Sequence, residues 1–310
     1  MKCALGSAVI TAAVACVAYA VLRGGQQPAA EGGHELGSGK MFDSIAPRYD
    51  LINKVISLGL DMRWRRAMIA GLELRAGDRV VDMATGTADV AIMISGELAR
   101  LEEAASDGQR RPPGTVYPGV TGVDPSAKML EVGRAKAAEA GLSSRVTLRI
   151  GDAQDLAEIA DGSVDKLTMA FGIRNVPDRL KALREFSRIL ASPVETPASE
   201  PDSEGPSGGA GGEGTCSVLA ILELQNPESG FLASASRAFI SYGAPVLGWM
   251  MSGNGAEYDH LKNSILNFPS VAEWMALMEE AGKALVFSHE TMGFGTVHLY
   301  LARPRPGPPR

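Results

Sequence analysis

Three short segments place chemistry-bearing residues directly after apolar, β-branched runs. The first, Val80-Val81-Asp82-Met83-Ala84-Thr85-Gly86-Thr87-Ala88-Asp89, passes from such a run through small residues into a helix-forming stretch. Small residues there let the backbone approach a ligand, and the unpaired N–H groups at a helix start favour an electron-rich one. A dinucleotide fingerprint would need glycine at positions 84, 86 and 89, of which only Gly86 qualifies, and no Gly-Lys-Ser/Thr of a P-loop follows. The second segment, Gly122-Val123-Asp124-Pro125-Ser126, carries a carboxylate able to accept both hydroxyls of a ribose. It lies farther from Gly86 than the roughly 20 residues usual in a nucleoside site, and the intervening stretch 101–118 accounts for the excess. The third, Ile150-Gly151-Asp152-Ala153, offers an acid and free backbone to an adenine edge. Any one of these acids taken alone reads first as a plain helix N-cap. Three in order point to an adenosine ligand without a pyrophosphate.

These turns need a scaffold that brings them to one edge. Short apolar runs alternate with helical periods, the pattern of a mostly parallel sheet with helices on both faces. Strands are expected at 79–83, 119–123, 146–150, 166–171 and 217–222, followed by two last strands at 284–288 and 296–301. Helices are expected at 88–100, 127–140 and 179–190, the last with Leu180, Leu183, Phe186 and Leu190 at helical spacing. A long helical region at 42–72 precedes the sheet, and helices at 231–251, 256–267 and 271–281 follow the fifth strand. In such an open α/β sheet the ligand binds where the strand order reverses, at the carboxyl ends of the strands.

With 310 residues, 45% hydrophobic and 21% charged, the chain can bury a large core, which excludes disorder throughout. A net charge of −6 and the lack of a long Lys/Arg run argue against a nucleic-acid partner. Cys3 and Cys16 lie in an apolar stretch and Cys216 stands alone, so neither a paired disulfide framework nor metal-ligand spacing is present. Residues 1–23 are an apolar targeting or membrane segment, long enough to cross a bilayer. Ala18-Tyr19-Ala20 has the form of a signal-peptidase site, so a cleaved signal and a retained anchor stand side by side. Residues 24–39 read as a flexible linker, 40–303 as one domain with surface insertions at 101–118 and 191–214, and 304–310 as a disordered tail.

Longer matches are more specific. Phe42-Asp43-x4-Arg48-Tyr49-Asp50-x2-Asn53-x3-Ser57-x-Gly59-x4-Trp64, the turn Val81 to Asp89, Ala170-Phe171-Gly172-Ile173-Arg174-Asn175-Val176, and Tyr258-x2-Leu261-x2-Ser264-Ile265-x2-Phe268-Pro269 stand in order between about 41 and 302. With them the chain resembles the class I S-adenosylmethionine methyltransferases, and within these the quinone C-methyltransferase family of the UbiE, Coq5 and MenG proteins. The resemblance implies a Rossmann-like α/β fold with a seven-stranded, mostly parallel sheet, to which this chain adds an N-terminal helical cap and the N-terminal apolar segment. It implies S-adenosylmethionine as cofactor, with contacts among Asp82, Thr85, Gly86, Thr87, Asp124, Asp152, Ala153 and Ala170. The implied acceptor is a polyprenyl quinol in a membrane. A methoxy-polyprenyl benzoquinol of ubiquinone synthesis is the first expectation, and a demethyl naphthoquinol of menaquinone or phylloquinone synthesis the alternative. A non-catalytic, cofactor-binding scaffold is the reading from another class. By the same resemblance the partners would be a quinone-synthesis complex or a second copy. The place would be the matrix side of the mitochondrial inner membrane, or a plastid.

Methyl transfer to a ring carbon requires a neighbouring hydroxyl to release its proton, which a phenolic pKa near 10 opposes. Arg174 is expected to stabilise the oxyanion and orient a proton-accepting water, since a guanidinium is a permanent cation and no ordinary base. Asn175 is expected to fix that water, and Tyr49, Asn53 and Tyr258 to meet the substrate. Against these stands the plainer reading of Arg174 as a salt bridge bracing the strand end. Trp64 reads as packing, and His260 as a packed or surface residue with no evident partner. Ala88 stands where the family usually has glycine, so its methyl group is expected to crowd the methionine end of the cofactor. Ala170 replaces a serine of some bacterial members. His260 and Asn263 fall where Tyr and Glu are frequent.

Overall fold

The computed structural model describes residues 39–105, 119–190, 217–227, 231–243, 256–281 and 284–304. The expected segment 1–23, linker, insertions and tail lie wholly or largely outside them. Helices α1 (Gly39–Ile45), α2 (Tyr49–Ile56) and α3 (Asp61–Gly71) form the cap that leads to the sheet. The single helical region expected at 42–72 is broken for local reasons. Pro47 sits in a 3-10 turn, Ala46–Arg48, where its missing N–H ends the α-helical ladder. Leu58 and Gly59 then take left-handed φ values of 54° and 75°, which reverse the chain.

The sheet elements follow as β1 (Val80–Met83), α4 (Asp89–Ala105), β2 (Val120–Asp124), α5 (Ala127–Glu139), β3 (Val146–Ile150), β4 (Lys166–Ala170), α6 (Arg179–Ile189) and β5 (Val218–Leu224). Then come α7 (Phe231–Ala238), which runs into a π turn at Phe239–Gly243, α8 (Ala256–Leu266), α9 (Val271–Glu280), β6 (Ala284–Met292) and β7 (Val297–Pro304). The sheet has seven strands in the order β3-β2-β1-β4-β5-β7-β6. Strands β1 to β5 pair in parallel, while β7 runs antiparallel to both β5 and β6. The order reverses between β1 and β4, and this switch point places the first and fourth turns side by side.

Alternation along the strands sorts their side chains onto two buried faces. Leu219 and Ile221 of β5 join Leu183 and Phe186 of α6 and Trp274 of α9 on one face. Val218, Ala220 and Leu222 join Met68 of α3, Ile94 and Leu98 of α4 and Leu130 of α5 on the other. Side-chain caps fix the helix starts. Ser126 accepts from Met129 N ahead of α5, Asp178 from Lys181 N ahead of α6, and Ser270 forms a capping box with Glu273 ahead of α9.

Ala88 corrects an expectation. Its φ is 66° and it is fully buried, so its methyl group sits in the core beside α5 and away from the cleft described below. A Cβ on Gly133 of α5 would lie 3.0 Å from the Ala88 Cβ and 2.9 Å from Leu148 Cδ1. Gly133→Ala is therefore expected to destabilise the fold by about 1–3 kcal/mol through overpacking, although alanine is the better helix former by up to about 1 kcal/mol. Urea denaturation checks this, and Ala88→Gly in the same chain should recover part of the loss. A Gly133→Ala protein as stable as wild type would show that the helix-to-strand contact is loose.

Candidate active site

A cleft of about 480 Å3 opens at the carboxyl ends of β1, β2 and β4 and at the turn after β3, within the range of small-molecule and cofactor sites. Its walls include Gly86 and Ala84 after β1, Asp124 at the end of β2, Asp152 and Ala153 after β3, and Ala170, Phe171 and Asn175 after β4. Phe42 and Tyr49 close it from the helical cap, their rings edge to face at 6.3 Å between centroids. Ala84 and Phe171 both hold left-handed φ values, 49° and 58°. Strain of this kind collects at binding sites. Only glycine fits at 172, because a Cβ there would lie 2.5 Å from the Ala84 Cβ.

Asp124 ties two of the turns that wall the cleft. Its Oδ2 accepts from Gly86 N at 2.9 Å and its Oδ1 from Ser126 N at 2.8 Å, which ties the first turn to the second. Burial pushes its carboxyl above the usual range against the pull of these two N–H groups, and Asp43 nearby adds to the rise. Each oxygen keeps a further lone pair, so the buried carboxylate at the cleft wall can still accept a diol. Asp152 is exposed and accepts from the Gln154 backbone and side chain.

Three residues expected at the cofactor, Asp82, Thr85 and Thr87, are not among those that line the cleft. Asp82 is almost fully buried and accepts from the hydroxyls of Thr85 and Thr168, each at 2.6 Å. Thr85 thus supports the turn from beneath. The Thr87 hydroxyl donates to Asp50 of α2 at 2.6 Å, and Lys136 of α5 bridges Asp50, Thr87 and Asp89. This network latches the cap onto the first turn. A second latch runs from Asp43 of α1 to the Ser126 hydroxyl at 2.6 Å and the Lys128 N–H at 3.1 Å.

Burial pushes the Asp82 carboxyl up to about 6, while the hydroxyls of Thr168 and Thr85 favour its ionised form. An unfolded Asp titrates near 3.9, so the folded state binds the proton more tightly. The stabilisation gained by protonation is lost as pH rises through about 6, leaving a penalty of about 3 kcal/mol at neutral pH. Asp82→Asn is expected to raise folding stability by roughly 1–2 kcal/mol near pH 7.5 and by little near pH 4.5. Urea midpoints at the two pH values check this, and an equal gain at both would contradict it.

At the acceptor end, Arg174 lies in the 3-10 turn Ile173–Asn175 after β4. Its Nη1 donates to Glu223 Oε1 and to the Phe171 carbonyl, both at 2.6 Å, with the two ion-pair side chains 8% and 0% exposed. The plainer expectation, a brace at the strand end, describes this geometry. The charge expected to face a substrate oxyanion is already met by Glu223. Asn175 lines the cleft, and its Oδ1 lies 3.1 Å from His260 Nε2 on α8. His260 thus has the partner that the sequence did not reveal. Asn53, Arg174 and His260 share a small adjoining cavity of about 60 Å3, and Phe42 and Tyr49 line both spaces. Tyr258 lies on α8, and its side chain is outside the described residues. Trp64 packs edge to face on Phe171 at 6.3 Å. Glu223 went unread in the sequence, though a charge inside the apolar run Val218–Leu224 was its signal.

The model of the ubiE/COQ5 methyltransferase family matches residues 32–194 and 213–302. The chain belongs to that family. Among its relatives, the ubiquinone/menaquinone biosynthesis C-methyltransferase UbiE of Geotalea daltonii is 32% identical over 84% of this chain and 93% of its own. The demethylmenaquinone methyltransferase of Thermus thermophilus is 34% identical over 84% of this chain and 98% of its own. A solved SAM-dependent methyltransferase of Thermotoga maritima, 17% identical, superposes with a TM-score of 0.50 over 86% of this chain and 98% of that one, a likeness of fold.

As a member of the ubiE/COQ5 family the chain is an S-adenosylmethionine-dependent methyltransferase of quinone biosynthesis. The site suits that cofactor, since the lone pairs left on the buried Asp124 carboxylate match a ribose diol and the cleft has room for it. The relatives named here are bacterial, so they lend no support to the expected mitochondrial or plastid address. Among the described residues no helix is long and apolar enough to cross a membrane.

Proposed function

We propose that this chain methylates a ring carbon of a polyprenyl hydroquinone, with a demethyl naphthoquinol as its first substrate and a methoxy-benzoquinol as its second. The carrying observation is that the cleft walled by Asp124 is also lined by the rings of Phe42, Tyr49 and Phe171, together with Asn175. A flat ring suits those walls. The order of substrates, which reverses the first expectation from sequence, is supported by the relatives' names. Both carry menaquinone, and the Thermus thermophilus protein carries it without ubiquinone.

In this reading Asp124 holds the ribose hydroxyls, while Asp152 and Ala153 meet the adenine. Ala170 lies at the methionine end. When bound, S-adenosylmethionine supplies an electrophilic methyl group. Tyr49 and Asn53 position the acceptor from the cap, and Tyr258 of α8 is the third residue assigned to it. The apolar walls exclude water around the reacting carbon, so rate enhancement comes from alignment in a dry pocket. The ion pair Arg174–Glu223 keeps the turn carrying Asn175 in place. A membrane-dissolved quinol and an assembly with other quinone-synthesis proteins or a second copy belong to the same proposal.

The test is the ratio of kcat/KM for short-tailed naphthoquinol and benzoquinol acceptors, both kept reduced, with the full chain and methyl-labelled S-adenosylmethionine. The proposal expects turnover of both and a higher value for the naphthoquinol. A higher value for the benzoquinol would reverse the order, and turnover of neither would end the proposal.

A further inference from the structure

His260 occupies a position that ordinary packing does not require. It is half-buried on α8, which packs against the 3-10 turn Ile173–Asn175, and it lines the small cavity with Arg174 and Asn53. Asn175 lines the main cleft, and its Oδ1 meets His260 Nε2 at 3.1 Å. In the tautomer in which Nε2 donates to the amide oxygen, Nδ1 carries the lone pair. Phe42 and Tyr49 line both spaces, so the cavity adjoins the cleft at these two rings.

We infer that His260 accepts the proton of the quinol hydroxyl next to the reacting carbon, and that Asn175 is the positioning residue that holds its imidazole. The inference rests on the quinol methylation reading above. It moves the proton from a water oriented by Arg174 to a side chain of this chain's own, at a position where the family frequently has Tyr. Burial and the positive charge of Arg174 hold the His260 pKa below its ordinary value, so the ring is neutral and able to accept at neutral pH. The charged or titratable groups facing it are Arg174, already paired with Glu223, and the Tyr49 phenol from α2. On its own helix Asp259 and Lys262 pair with each other at 3.1 Å.

The step balances as follows. The hydroxyl proton passes to His260 Nδ1 and the oxygen keeps the electron pair. In the same step the ring carbon bonds to the methyl carbon as the methyl–sulfur bond breaks, with that pair left on sulfur. Loss of the ring hydrogen to solvent as a proton restores the aromatic ring, and His260 returns its proton to the oxygen. One proton is released per methyl transferred. Transfer to His260 during bond formation avoids a free phenolate, whose parent phenol titrates near 10.

The experiment is the pH dependence of kcat for wild type, His260→Gln and His260→Ala, each as the full chain. Wild type is expected to lose turnover as pH falls, with a one-proton limb below about 6.5, because protonated imidazole cannot accept. Both variants should lose roughly 100-fold to 1,000-fold in kcat, keep the KM for S-adenosylmethionine within about twofold of wild type, and show no acid limb. Added imidazole should restore part of the turnover of His260→Ala. Should that variant not fold, His260→Gln and the wild-type limb carry the test. Either variant within about threefold of wild-type kcat, or an acid limb that persists in His260→Gln, would overturn the inference and leave the function standing. A folded wild-type protein that methylates no quinol would overturn both.

Discussion

Glu223→Ala is expected to lower folding stability by roughly 3–5 kcal/mol, because it leaves the Arg174 guanidinium buried without a counter-ion. The geometry behind this is specific. Glu223 is fully buried, and besides the Arg174 side chain it receives the backbone N–H groups of Arg174 at 3.1 Å and Leu224 at 2.7 Å. Removing the carboxylate leaves these donors without their acceptor. Arg174→Ala, which leaves the carboxylate without its cation, should lose a comparable amount. From sequence alone Arg174→Ala is expected to lower turnover sharply with cofactor affinity nearly intact; the ion pair adds a loss of stability. A double substitution, Arg174→Met with Glu223→Leu, should be less damaging than either single change, since a buried pair replaced by apolar groups of similar volume is often neutral. Urea denaturation of the three variants decides it. Additive losses would show that the two side chains act independently.

Asp124→Ala is expected to weaken S-adenosylmethionine binding by roughly 50-fold to 200-fold, with Asp152→Ala weaker than wild type by less than about tenfold. The difference follows from burial. Hydrogen bonds to a charged group are worth about 1.5–3 kcal/mol, and Asp124 also anchors the first turn through Gly86 N and the start of α5 through Ser126 N. Asp152 is exposed, and its carboxylate already accepts from Gln154. Calorimetric titration of the two variants checks the ranking. If Asp124→Ala binds within about threefold of wild type, its carboxylate does not hold the ribose.

Where the fold was legible, local pattern and global architecture agree. The buried strands β1 to β5 read as apolar runs within two residues of their observed ends, and the small-residue turns between them marked the cleft. The cap was less legible, because helical periodicity continues across Pro47 and Leu58 although the backbone does not. The fourth strand was read one residue long, since the β-prone Phe171 takes a left-handed φ that ends it. Position in the cleft was readable where it follows from a residue's own turn, as for Asp124 and Asp152, which both line it. It was unreadable where the role depends on a distant partner. Thr87 was read as a cofactor contact because nothing near it in sequence announces Asp50 and Lys136. His260 read as a packed or surface residue, and the salt bridge considered for Arg174 had no named partner, for the same reason, as their partners are 85 and 49 residues away.

The most direct test of the account is the position of the transferred methyl group. Full-length protein, carbon-13 methyl S-adenosylmethionine and a reduced demethyl naphthoquinol should yield a product whose label is bonded to ring carbon, read by NMR and by mass. A label found on oxygen as a methyl ether, or none on the quinol at all, would contradict it.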